Sequence, residues 1–262
     1  MIYGKLPIVL LSTLASQADD TTECRIASFI LQNGQEAARM NIAQMAESCH
    51  VSVSSVSRFC RSIGLGDYAE LRALISGWDR RFLPDSLDGN VHTRMQDTFR
   101  LISEGLDRLQ ASIDPAQIAL LCRKIDAYDR VYLLGLLKAG TAAQALQADL
   151  TLLGKHTVCK VAFAQQLECL EQATQRDLIL IFSYSGIYFD YLTGRMPQGL
   201  SRAHVVFITG AKEMQTGGCI DQVIAFDSAL NQASHPFQMQ ALARIIAQEY
   251  AIMQTEKKTQ NE

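Results

Sequence analysis

The chain has 262 residues and a formal net charge of −3; 48% of its residues are hydrophobic and 19% charged. That composition supplies a core for one or two domains and excludes a disordered chain. It also excludes a uniformly basic coat, so contact with nucleic acid has to come from a local patch.

The first stretch, "MIYGKLPIVLLSTLASQADD", has one lysine and a short apolar run interrupted by Pro7. It reads as a first amphipathic helix with Pro7 near its start, a signal peptide being the alternative. No apolar run in the chain reaches the ~18 residues of a membrane span, so no membrane partner is expected. "TTEC" offers threonine caps to a helix with Ile26, Ala27, Phe29, Ile30 and Leu31 inward, and Asn33-Gly34 is its expected stop. Asn41 caps "IAQMAES", with Ile42, Met45 and Ala46 inward, and "CHVS" is a brief turn. Ser52 caps the next helix, in which Val53, Val56, Phe59, Cys60 and Ile63 recur at helical spacing up to Gly64. Asp67 caps a further helix, "DYAELRALISGW".

Residues 1–77 are therefore expected to form an all-α domain, and 78–104 a linker, its charges mixed with Pro84, Asp85 and Gly89. From about 97 the pattern changes. "TFRLISEGLDRLQASI" and "PAQIALLCRKIDAY" are helical, with Asp114-Pro115 as cap and first helical position. Five short apolar runs follow at 130–135, 157–161, 178–183, 204–209 and 222–227. They are apolar nearly throughout, as strands covered on both faces are. Helices are expected at about 140–153 and 165–174, a shorter irregular one after 187, one near 212–217, and a long last one at 234–254. The spacing fits βαβ crossovers, so 105–262 should be an α/β domain, a parallel sheet flanked by helices.

Residues 41–64 read as helix, tight turn, helix. Ser52, Ser54, Ser55 and Ser57 stand before or beside Arg58 and Arg61. Short hydroxyls at the front of a helix let its backbone approach a groove, and arginines reach phosphate or guanine. From 39 to 81 there are six arginines against four acids. An ordinary helical hairpin with a serine-rich solvated face is the competing reading of the spacing.

The stretch "NIAQMAESCHVSVSSVSRFCRSIGLGDYAELRALIS" resembles the N-terminal domain of RpiR/MurR-type bacterial transcriptional regulators. The resemblance is carried by Ile42, Ala43, Ala46, Val51, Ser52, Ser55, Val56, Arg58, Phe59, Cys60, Ile63, Gly64, Tyr68, Glu70, Leu71 and Arg72. It implies binding to a double-stranded DNA operator, with Ser52, Ser54, Ser55, Ser57 and Arg58 as contacts and Val51, Val56 and Phe59 as core. Arg61 joins the contacts on the charge argument.

In a parallel sheet, ligands bind where strands end and helices begin. Three such loops are legible: "GLLKAGTAA" (135–143), "SYSGIYFD" (183–190) and "TGAKEMQTGG" (209–218). In the second, Gly186 permits a tight turn and Ser183 and Ser185 offer hydroxyls near a helix start. "DRVYLLG", "RDLILIFSYSG" and "HVVFITG" are similar to the Rossmann-like sugar isomerase (SIS) domain that RpiR-type regulators carry second. That resemblance implies that Ser183 and Ser185 hold the phosphate of a phosphosugar, within a pattern that Asp177 and Gly186 also match. The loops depart from the family. Only Gly135 fits the first, Leu137 and Ala139 stand at its later glycine and serine places, Tyr188 replaces a small hydroxyl after the second, and the third is rebuilt. Thr141 is a candidate replacement hydroxyl and Lys138 a candidate phosphate partner, a solvated turn lysine being its plainer reading.

Tyr184, Tyr188, Phe189 and Tyr191 either line an effector pocket or belong to core or dimer surface. Glu168 and Glu171 read as a solvated helix face, and His156 as a turn residue. Seven single cysteines and five scattered histidines support neither a disulfide framework nor a metal site. The expectation is a cytoplasmic regulator, not an enzyme, without cofactor or metal, with a phosphosugar effector and a homodimeric or homotetrameric state. The alternatives are a sugar-phosphate isomerase with an accessory helical domain, or a regulator whose SIS domain only oligomerises.

Overall fold

The computed structural model describes residues 5–78, 89–191, 196–212 and 218–261. Helices α1 (Lys5–Leu14), α2 (Thr22–Ala37), α3 (Ile42–Ser48), α4 (Val53–Ser62) and α5 (Tyr68–Ser76) open the chain. Their starts are set by side chains that accept the first free amides: Thr21 from Cys24 N, Ser52 from Ser55 N and Asp67 from Glu70 N. Asn41 and Gln44 cap α3 reciprocally, each side chain bonded to the other's backbone N–H. Asn33-Gly34 kinks α2 rather than stopping it: Asn33 leaves helical geometry at φ −122°, ψ 31°. Burial of Ile30, Gly34 and Ala37 carries the chain on past the kink.

α6 (Val91–Ser112) and α7 (Pro115–Ala127) follow, capped by Asn90 and Asp114. The expected linker 78–104 is thus helical from residue 91 on, while 79–88 lie outside the described residues. Charge is no obstacle to a helix there, because Arg100 bridges Asp97 at 3.3 Å and Glu104 at 3.0 Å along one helix face.

Strands β1 (Arg130–Gly135), β2 (Thr157–Cys159), β3 (Asp177–Phe182), β4 (His204–Thr209) and β5 (Gln222–Ala225) pair in parallel, in the order β2-β1-β3-β4-β5. The two edge strands are shorter than the apolar runs that announced them. The helices of this part are α8 (Lys138–Leu152), α9 (Phe163–Gln172) and α10 (His235–Asn261), and 3-10 turns at Tyr188–Tyr191 and Gln198–Ser201 lie between β3 and β4. The helix expected near 212–217 falls on 213–217, outside the described residues. α10 runs beyond its expected end at 254 through the polar tail, where Lys257 pairs with Asp126 of α7.

Side chains alternate between the faces of the sheet. Val131, Leu133, Leu178, Leu180, Val206 and Ile208 point to one core with Ile118, Ala142, Leu146, Leu242 and Ile246 of α7, α8 and α10. Tyr132, Leu134, Ile179, Ile181, Val205 and Phe207 point to the other. On that second face α9 and the 3-10 turns give thinner cover, and the N-terminal helices complete it. Leu10, Ile26, Val56 and Phe59 belong to the same continuous apolar cluster as Phe163, Ile181 and Phe207. α1 links the two parts, in contact with α2 and α5 on one side and with α9 on the other.

Candidate nucleic-acid interface and effector pocket

α3 and α4 are joined by a turn in which His50 takes φ 52°, a left-handed residue that reverses the chain in few steps. Val56, Phe59 and Cys60 bury one side of α4. Ser52, Ser54, Arg58 and Arg61 are exposed, and Ser55 and Ser57 half-buried. The hydroxyls form a local cluster: Ser52 Oγ lies 2.8 Å from Ser54 Oγ and 2.9 Å from Ser55 Oγ. Arg58 donates to Ser55 Oγ at 3.2 Å, and Arg61 Nε to the Ser57 carbonyl at 3.3 Å. Both guanidinium groups are thereby drawn toward the N-terminal half of α4, where amides favour anions. Val53, counted with the apolar row, is 44% exposed instead. It sits at the first position of α4, before the helix meets its neighbours, and stands among the serines.

The second constellation gathers at the carboxyl ends of β1 and β3. These strands are neighbours in the sheet, and the chain leaves them for opposite edges, the crevice that open α/β sheets use for ligands. Ser183, Ser185, Lys138 and Tyr188 line one pocket there. Gly186, at φ 76°, turns the loop so that its N–H donates to the Ser183 carbonyl at 3.0 Å. Ser183 Oγ accepts from Tyr188 N at 3.2 Å. Lys138 opens α8, whose first turn has no side-chain cap and is preceded by Leu137 at φ 50°, ψ −120°. A non-glycine residue held at that angle stores backbone strain at the pocket rim.

The remaining site candidates do not line this pocket. Thr141 is exposed, and its hydroxyl donates to the Lys138 carbonyl at 2.7 Å and accepts from Gln240 at 3.3 Å. One turn into α8, it is bonded along its own helix. Gly135 serves close packing: a Cβ there would stand 3.0 Å from Ala139 and from the Phe182 carbonyl. Its own carbonyl accepts from Gln166 Nε2 at 2.7 Å. Gly186 shapes the loop without lining the cavity. Tyr188 is a wall whose hydroxyl is already committed to Gln166 Oε1 at 2.8 Å, and burial pushes its pKa well above the ordinary value.

Sequence reasoning missed His235. It is 7% exposed, borders the pocket, and lies 4.4 Å from the Tyr184 ring, centre to centre. Among the described residues, its Nδ1 meets no hydrogen-bond partner. Burial first, and the charge of Lys138 second, hold its pKa down to about 4. No spacing pattern announces it, because the last helix brings it to the loops from far along the chain. Tyr184, left open between pocket and core, does line the pocket; its hydroxyl is tied to Ser228 and, at 3.1 Å, to Gln238 Oε1. Phe189 is core, stacked on Phe207. The Tyr191 side chain and residues 213–217 of the third loop lie outside the described residues. Glu171 is exposed and accepts from Gln198 N at 2.8 Å; Glu168 and His156 are exposed. Among the described residues, no three His, Cys, Asp or Glu gather to hold a metal, and no helix is long and apolar enough to cross a membrane.

Residues 9–79 match the family model for the helix-turn-helix domain of the rpiR family. The chain is 29% identical over 192 residues to the HTH-type transcriptional regulator HexR of Pseudomonas aeruginosa, covering 68% of this chain and 65% of HexR. The match thus spans just under two thirds of that relative. An uncharacterised HTH-type transcriptional regulator of Providencia stuartii is 23% identical over 189 residues, 67% of each chain. Among solved structures, Vibrio vulnificus NanR, determined with ManNAc-6P bound, has the same fold: TM-score 0.55 at 17% identity, over 97% of this chain and 94% of NanR. Residues 9–79 thus match a helix-turn-helix domain of the rpiR family, and in this chain a parallel α/β domain follows them.

Proposed function

We propose that the chain binds an operator duplex through α4 and responds to a phosphosugar held at the carboxyl ends of β1 and β3. Ser52, Ser54, Ser55 and Ser57 enter the major groove end-first, with Arg58 and Arg61 on phosphate or guanine and Val53 against a thymine methyl group. The observation that carries the effector half is the convergence of Ser183, Ser185, Lys138 and the uncapped start of α8 on one cavity. Hydroxyls, a cation and free helix amides are the groups that hold a phosphate. Apolar and aromatic walls (Leu136, Tyr184, Ile187) suit the less polar face of a sugar ring. NanR binding ManNAc-6P supports a phosphosugar as the class.

The pocket is proposed to bind without turnover, in the cytoplasm, in a homodimer. For the last point, α6 carries Val91, Met95 and Phe99 at 65%, 54% and 66% exposure along one helical stripe, a face that a second copy would cover.

The test is a thermal-shift screen of sugar phosphates against the full chain. One or more should raise the melting temperature, and Ser183→Ala and Ser185→Ala should remove that rise. No shift with any sugar phosphate, or shifts indifferent to both variants, contradicts the effector reading. Conversion of an aldose phosphate to the ketose by the same protein contradicts the claim that it binds without turnover.

A further inference from the structure

The pocket has a wall from the other domain. Ile8 of α1 lines it together with Leu136, Ser183 and Tyr188. Ile8 and Ser12 are four residues apart and share one face of α1. Ser12 is 1% exposed, and its hydroxyl accepts from Phe163 N, the first residue of α9, at 3.4 Å. Ala162, the cap residue of α9, makes no side-chain cap bond. A serine of the helix-turn-helix region therefore caps a helix of the α/β domain. The opposite face of α1 presents Leu6, Val9 and Leu10, all buried, to the core of the N-terminal helices. α1 is held from both sides.

The cavity that remains with α1 in place measures about 60 Å³. That accommodates a few waters or one small anion, whereas pockets for larger organic ligands run to roughly 300–1,000 Å³. Resting on the effector reading above, we propose that a phosphosugar and the docked α1 compete. The phosphate seats at Ser183, Ser185 and the start of α8, and the sugar occupies the space that the Ile8 side chain now fills on one side. The effector then binds the α1-released form better than the α1-docked form, and its differential affinity shifts that equilibrium. Release of α1 uncaps α9 and frees the helix-turn-helix domain from the sheet, so pocket occupancy reaches the DNA-binding helix through one contact.

The experiment is hydrogen exchange on the full chain with two probes, inorganic phosphate and ManNAc-6P. Phosphate alone should protect amides at 183–188 and at the start of α8 and leave α1 unchanged, because it fits beside Ile8. ManNAc-6P should protect the same amides and speed exchange in residues 6–14 by about tenfold or more. Ile8→Ala, which removes most of the wall, should bind ManNAc-6P at least about threefold more tightly while changing phosphate affinity little. Protection of 183–188 by ManNAc-6P with α1 unchanged overturns the competition and leaves the effector reading intact. Absence of protection at 183–188 with both probes overturns the effector reading, and the competition with it.

Discussion

Ser12 of α1 and Phe163 of α9 are separated by most of the N-terminal domain and the first half of the sheet in sequence, yet Ser12 Oγ accepts the Phe163 N–H. Four residues before Ser12, Ile8 lines the pocket, and the Phe163 ring meets the Tyr188 ring edge-on, centroids 6.0 Å apart. Tyr188 in turn donates its N–H to Ser183. The 183–188 loop and the N-terminal helices are thus one packed unit. Ser12→Ala removes that hydrogen bond, and the net contribution of one such bond is about 1 kcal/mol. Differential scanning calorimetry should show the α/β transition lowered; an unchanged melting profile would mean the contact contributes nothing to docking.

Asp177 is 3% exposed and receives Arg130 in a two-pronged bond at 2.9 Å each, with Thr174 N and hydroxyl on the same carboxylate. Burial alone would raise its pKa, but the Arg130 and Thr174 bonds outweigh burial and bring it below the ordinary value of 3.8. Asp177→Ala leaves Arg130 partly buried without its partner. A loss of about 3 kcal/mol is expected in urea unfolding at pH 7. Because the native pKa is depressed, the wild-type contribution is present above pH 3.8 and disappears as pH falls through the lower native value. The variant should therefore lose its disadvantage only in strong acid.

His235 gives a separate acid window. Its native pKa of about 4 lies below the ordinary 6.5. The unfolded chain takes up the proton first, so this histidine's contribution is intact above pH 6.5 and is withdrawn as pH falls toward 4, by up to about 3 kcal/mol. His235→Phe should flatten the wild-type stability curve between those two pH values. Parallel curves for the two proteins would show that the imidazole is not held uncharged in the native state.

The exposed stripe on α6 leads to a test of assembly. Phe99→Asp places a charge on a residue now 66% exposed, so a free monomer should tolerate it within about 0.5 kcal/mol. Sedimentation velocity should show the wild type as a dimer at micromolar concentration and Phe99→Asp shifted to monomer. A variant that sediments like the wild type removes α6 from the proposed interface.

Local signals explain what was legible in the sequence. Caps at Asn41, Ser52, Asp67 and Asp114 were readable because a side chain two or three residues from a free amide is all they need. β1 and β4 matched their apolar runs, since strands buried on both faces leave few polar positions to confuse the pattern. Asn33-Gly34 misled because tertiary burial overrode a strong stop signal, and 91–104 because its charges pair along the helix. Within the pocket, Ser183, Ser185, Lys138 and Tyr188 came from contiguous loops. His235 and Ile8 did not, since the two ends of the chain reach the site only through the packing of α10 and α1. Thr141 lies close to the pocket in sequence, and helical geometry turns its hydroxyl back onto the Lys138 carbonyl.

Whether the exposed front of α4 reads duplex DNA, as proposed, is decided by salt-dependent binding. A duplex retained by the wild-type chain from a randomised pool is titrated by fluorescence anisotropy at several salt concentrations, beside Arg58→Ala. The wild type should bind that duplex about a thousandfold or more tightly than a scrambled one, and Arg58→Ala should weaken binding and lower the salt slope by about one unit. Equal affinity for both duplexes, or an Arg58→Ala isotherm and slope that overlay the wild type, would contradict the account.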